Sequence, residues 1–153
     1  IKLTVPNNFK MLRLGPNDIK LFKTGVGEEE ATNYILISKV SKTNSPSQNY
    51  IASNNYYIKD LKDTEIGKNV TIGEPAQKDY FTYKRTTDTT IGQLSARTFL
   101  NTQPWEFPKG VNENVYIISD KYETYVILSY TNSGDKSNIN NEEQISVLKS
   151  ISF

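Results

Sequence analysis

Two residue types that most often do chemistry are missing from this chain: it has no histidine and no cysteine. That removes thiol nucleophiles, disulfides, Cys/His zinc sites, haem ligation by histidine and every triad built on an imidazole base. Carboxylates, lysines and oxygen-ligated cations remain. Asp60, Asp63 and Glu65 form the densest group of acids with any helical context, and paired acids across a cleft can hydrolyse glycosidic bonds. The bland reading, a solvated helix end, fits them better, because nothing in their spacing makes them converge. As a calcium loop, Asp60-Leu61-Lys62-Asp63 lacks the alternating oxygen ligands and the glycine. Glu28, Glu29 and Glu30 read as a solvated turn, with part of a cation site as the alternative.

Other fragments are weaker. Gly25-Val26-Gly27 lacks the third glycine and the Lys-Ser/Thr of a phosphate loop, so it reads as a hairpin turn. Lys149-Ser150 is no dyad unless the lysine is desolvated beside the serine, and an amphipathic terminal helix would leave both in water. Asn69-Val70-Thr71 matches a glycosylation sequon, which carries no meaning in a bacterial source. Recognition has better candidates. Gln103-Pro104-Trp105-Glu106-Phe107-Pro108 sets Trp105 and Phe107 in a proline-flanked loop, either exposed for binding or folded over the core edge. Lys84, Arg85 and Arg97 would form a small basic patch on neighbouring strands, with surface decoration as the alternative. The binding residues expected are therefore Trp105, Phe107, Arg85 and Arg97, with no catalytic set, no metal and no cofactor.

These residues must be positioned by one domain of 153 residues, long enough to bury a core without staples. Ten tyrosines supply much of its bulk, rings with a polar tip that suit a half-covered sheet. Net charge is +1, so no bulk field draws nucleic acid or an acidic membrane. No apolar run approaches the roughly 20 residues that span a bilayer. The chain opens on Ile1 rather than Met, from which we expect a removed signal or lipid anchor upstream.

Hydrophobic periodicity supplies the elements. Ile1–Val5 alternates as a strand and stops at Pro6; Phe9–Leu14 and a strand from Ile19 to Gly25 flank the turn Gly15–Asp18. Thr32–Val40 is nearly continuous in its apolar residues, as a central strand is. Ser45-Pro46 reads as an N-cap and first helical proline, opening a helix to Leu61. Strand signals resume around Val70–Ile72, Tyr80–Arg85, Thr90–Asn101 and Val115–Ser119. They end in Thr124–Thr131, apolar on both faces. Asn140 or Asn141 then caps a last helix, with Glu142 and Glu143 at its positive end and Ile145, Leu148 and Ile151 as its apolar stripe. The reading is α+β: an antiparallel β-sheet sandwiched between helices, one domain over 1–153.

In order and motif the chain resembles the Mog1/PsbP-like superfamily. The resemblance rests on "IKLTVPNNF", "TTIGQLSARTF", "ETYVILSYT" and the closing "ISVLKSISF", with Gly92 and Ala96 before the last hairpin. Phe9 stands where members carry an aromatic after the first strand's proline. The resemblance implies the same sandwich of sheet and helices. Its members, a photosystem accessory subunit, a nuclear transport factor and many bacterial lipoproteins, share no catalytic residue set, and fold alone does not give function. The function expected is a non-catalytic, extracytoplasmic binding or accessory domain of a bacterial secreted protein or lipoprotein. It would be a monomer binding a protein or small ligand, not nucleic acid, and would meet the membrane only through the removed anchor. The alternative is a carboxylate- or cation-dependent hydrolase.

Overall fold

The structure, a computed structural model, describes residues 2–27, 33–40, 61, 63–74, 79–102, 111–119, 124–132 and 139–152. Strands dominate. They are β1 (Lys2–Leu3), β2 (Phe9–Arg13), β3 (Asp18–Lys23), β4 (Tyr34–Val40), β5 (Asn69–Glu74), β6 (Asp79–Arg85), β7 (Thr89–Ile91), β8 (Leu94–Asn101), β9 (Val111–Ser119), β10 (Thr124–Asn132) and β11 (Ile151–Ser152). One helix, α1 (Asn141–Lys149), precedes β11. Nine strands form a single antiparallel sheet in the order β2-β3-β4-β10-β9-β8-β6-β5, with β7 beside β8; β1 and β11 make a separate two-stranded ribbon.

The expected α+β sandwich is overturned. Among the described residues a wide sheet carries one complete short helix, α1, with Leu61 and Asp63 helical besides, so the architecture is mainly β. The physical reason is one of dimensions. Eight strands side by side span about 34 Å, whereas nine helical residues reach only about 14 Å. Such a helix covers a strip of one face. Of the expected helix Pro46–Leu61, only Leu61 lies within the described residues, where it is helical and buried. β10 is a central strand, paired with β4 from Thr124 to Tyr130 on one side and with β9 from Thr124 to Asn132 on the other.

Two further readings change. Thr90–Asn101 is not one strand: it folds back at Gly92-Gln93, so that Ile91 faces Leu94. The stripe of the last helix is rotated as well. Gln144, Val147 and Leu148 are buried, at the i, i+3, i+4 spacing that marks one helix face. Ile145 is 41% exposed, and Ile151 belongs to a strand.

Register sorts the side chains into two faces. On the helix face Phe9, Leu21, Ile35, Ile37, Ile127, Tyr116, Ile118 and Ala96 form the core with Ile139, Val147, Leu148 and Ile151. On the other face Leu36, Ile117, Val115, Phe99 and Tyr83 are buried too.

Helix α1 is tied down at its start. Asn140 caps it, accepting from the Glu143 amide at 2.9 Å while the Glu143 carboxylate accepts from the Asn140 amide at 2.9 Å. That carboxylate also meets Lys23 Nζ at 2.9 Å and accepts from Asn8 Nδ2 at 3.1 Å. At the far end Gly92 lets the ribbon approach. Its φ is +60°, and a Cβ there would lie 2.6 Å from the carbonyl oxygen of Ile151.

Two predictions follow from these anchors. Gly92→Ala should cost clearly more than Gly67→Ala, whose φ is +85° but whose Cβ would meet nothing. The left-handed backbone alone accounts for about 1–2 kcal/mol, so the excess in urea midpoints measures the ribbon contact; equal losses would mean the ribbon is not seated there. Glu143 titrates with folding. Partial burial raises its pKa, but the Lys23 hydrogen bond and charge, the Asn140 amide and Asn8 outweigh this, leaving it below the ordinary carboxylate value. Its contribution is therefore present above the unfolded pKa and is lost as pH falls through the lower folded one. Glu143→Gln should lose stability at pH 7 and flatten the acid limb of the stability curve.

Candidate functional site

The face of the sheet away from α1 holds the two charged side chains most deeply buried among the described residues, Arg85 and Glu113, each 4% exposed. Both arise from alternation on strands whose neighbours on that face are apolar. Glu113 precedes Val115 and Ile117 along β9, and Arg85 follows Tyr83 along β6.

A break in register places Arg85. From Arg85 to Thr89 the chain takes four steps while the partner strand, from Phe99 to Ala96, takes three. The extra residue makes a bulge between β6 and β7, the kind of irregularity that re-aims a side chain. The Thr86 amide donates to the Thr98 carbonyl at 2.8 Å and holds the bulge closed. Arg85 Nη1 donates to the Thr86 carbonyl at 2.7 Å, Nη2 pairs with Asp88, and the guanidinium carbon lies 5.2 Å from the centre of the Phe99 ring. Its Nε has no hydrogen-bond partner. Arg85 is thus a buried cation stacked on an aromatic ring, not the exposed half of a basic patch.

Arg97 lies on the same face, next to Phe99 along β8, and is exposed. The structure therefore brings Arg85 and Arg97 to neighbouring strands, as expected, but buries one and presents the other. Lys84 alternates to the opposite face and is exposed. Trp105 and Phe107 lie outside the described residues, as do Asp60 and Glu28–Glu30. Asp63 and Glu65 are exposed. Ser150 donates its hydroxyl to the Val147 carbonyl at 2.7 Å, the behaviour of a helix terminus and not of a nucleophile.

Sequence reading missed Tyr83 and Glu113. The Tyr83 hydroxyl donates to Glu113 Oε1 at 2.7 Å, inside the protein, reaching from β6 across β8 to β9. A buried hydrogen bond to a carboxylate is short and strong because little water competes for it. One signal was available: Glu113 sits two residues before Val115 in an alternating strand, so a charged residue falls in an apolar row. On the opposite face Gln144 Nε2 donates to the Tyr116 hydroxyl at 3.0 Å, and burial pushes the Tyr116 phenol up from its ordinary pKa.

Chemically, Arg97 is the exposed guanidinium of this face, of a kind that suits anionic groups, while Arg85 stacked on Phe99 and the Tyr83–Glu113 hydrogen bond are buried. Glu113 is the one acid buried among the described residues, whereas two-carboxylate hydrolysis needs a partner acid at a defined separation.

Removing the tie should be expensive. Tyr83→Phe is expected to lose about 1–3 kcal/mol, the cost of depriving a buried charged acceptor of a donor. In a double-mutant cycle with Glu113→Gln the two changes should be non-additive by about 1 kcal/mol or more. Additive urea midpoints would show that the two groups act independently.

No protein-family model matches the chain, and no curated protein does. Among solved structures, a crystal structure from Bacteroides thetaiotaomicron resembles it at 11% identity with a TM-score of 0.42. The match covers 97% of this chain and 42% of that one. None of these comparisons indicates the Mog1/PsbP-like superfamily.

Proposed function

We propose that the chain is a non-catalytic binding domain working outside the cytoplasm, and that Arg97 is the presented cation of its recognition face. The observation that carries this reading is the division of labour between two arginines on one face. Arg85 is immobilised by Asp88, the Thr86 carbonyl and the Phe99 ring, while Arg97 beside it is open to solvent. A fixed aromatic and a buried cation stiffen the ground from which an exposed guanidinium reaches, and preorganisation of this kind lowers the entropic cost of binding. A surface near electrical neutrality and free of cysteine is compatible with the cell envelope.

The competing reading is a hydrolase that uses Glu113 as its buried carboxylate. The two separate in one pair of variants. Immobilised wild-type chain should retain a component of cell-envelope extract that Arg97→Glu does not, with release as salt rises. Turnover of a glycoside or ester substrate that Glu113→Gln abolishes would replace the binding reading with the enzymatic one.

A further inference from the structure

We propose that β2 is a docking strand for an acidic, extended segment of a partner protein, which joins the sheet at the β2 edge, left unpaired among the described residues. The inference rests on the reading of the chain as a binding domain and adds a second surface, at the opposite side of the sheet from β6 and β8.

Strand β2 ends the sheet. Its pairing with β3 is unbroken through all five residues, from Phe9 opposite Lys23 to Arg13 opposite Ile19. The hydrogen-bonding parity is fixed at both ends: the Thr24 amide donates to the Asn8 carbonyl at 2.9 Å and the Leu14 amide to the Asp18 carbonyl at 3.1 Å. Even-numbered residues therefore bond to β3. The odd ones, Met11 and Arg13, turn their N–H and C=O groups away from the sheet. The Phe9 amide is taken by the Pro6 carbonyl, so the open template begins at Met11. No proline and no bulge interrupts it, and those are two of the usual devices for closing an edge.

Side chains select the occupant. Lys10 and Arg13 are exposed, one on each face, and Phe9–Arg13 contains no acid. Lys20 lies behind Lys10 on its face, over the rings of Phe22 and Tyr34 at 5.8 and 5.2 Å. Lysines alone would read as guards against edge pairing. But Met11 and Leu14 are 49% and 47% exposed, two of the four large hydrophobics left open among the described residues. A guarded edge has no use for them, whereas an added strand packs its alternate side chains beside them. A second copy of β2 is the wrong occupant, because it would double the positive charge with nothing to offset it. An acidic strand is the right one. Lys10 and Arg13 are three residues apart, so the partner's acids should also stand three apart, one per face, with an apolar residue between them to lie against Met11.

The test titrates ¹⁵N-labelled chain with the blocked peptide TETVET and with its charge-reversed counterpart TKTVKT. TETVET should shift the amides of Met11 and Arg13 first, and its binding should weaken as salt rises. TKTVKT should bind at least about tenfold more weakly, a difference of about 1.4 kcal/mol. The double variant Lys10→Glu/Arg13→Glu should invert the preference, and Met11→Pro, which removes one outward donor and leaves the bonds to β3, should weaken TETVET. Equal binding of both peptides, shifts confined to other strands, or indifference to the charge reversal would each overturn the proposal. So would broadening of the Met11 and Arg13 amides with protein concentration alone, which would assign the edge to self-association. If TETVET fails while Arg97-dependent capture persists, only the edge proposal falls. A turnover abolished by Glu113→Gln removes the binding reading whatever the peptide does.

Discussion

The pairing of β10 with β4 and β9 is the constraint on which the rest of the protein depends. Seven residues of β10 face β4 and nine face β9, so the strand has no free edge over most of its length. Ile127 and Ser129 are fully buried on the helix face, and Leu36, Val115 and Ile117, around the same junction, are buried on the other. A sheet apolar on both faces at its centre must find cover on both. Register is strongly specified in such a region, because a slip by one residue would exchange the two sets of side chains.

Moving out in one direction, regularity decays into chemistry. β9 and β8 keep apolar rows, but Glu113 and Arg85 interrupt them, and the bulge at Thr86–Asp88 breaks the ladder where Arg85 turns inward. The cost of burying these charges is met by specific partners, Tyr83 for the carboxylate and Asp88 with the Thr86 carbonyl for the guanidinium. In the other direction, β3 and β2 lose their apolar rows gradually, and the sheet ends in lysine and arginine beside exposed methionine. The two directions thus differ in kind: one passes through a buried electrostatic network before it ends at β5, and the other ends in exposed cations on β2.

Much of the sheet was legible in the sequence because strand periodicity is local. Ile35-Leu36-Ile37 and Tyr125–Tyr130 announce central strands by composition alone, and the Asn140 cap with Glu143 three residues on announces α1. What was not legible depends on partners far away in the chain. The two-residue turn at Gly92 was read as the interior of a strand because the alternation of Leu94, Ala96, Thr98 and Leu100 was carried back to Thr90, and the Ile151 carbonyl that Gly92 admits comes from the other end of the sequence. The rotation of α1 was misjudged for the same reason. Ile145 looks more apolar than Gln144, yet Gln144 is buried because Tyr116 offers its amide a hydroxyl. The Mog1/PsbP-like resemblance erred where it extended order of elements into layers, because strand count, not element order, sets how much of a sheet a helix can cover.

Dependence on distant partners also separates the two arginines. From sequence, Arg85 and Arg97 are equivalent cations on adjacent strands. Their difference comes from one inserted residue: without the bulge, the position after Arg85 on its own face would be Thr87, and no acid would stand within reach along that strand. With it, Asp88 comes round to pair with the guanidinium, and Phe99, opposite in register, supplies the ring beneath. A buried arginine so held has little freedom to respond to a ligand, because breaking the pair would leave its buried charge without the carboxylate. Arg97, on the regular part of β8, is exposed. The bulge therefore separates a buried cation from an exposed one.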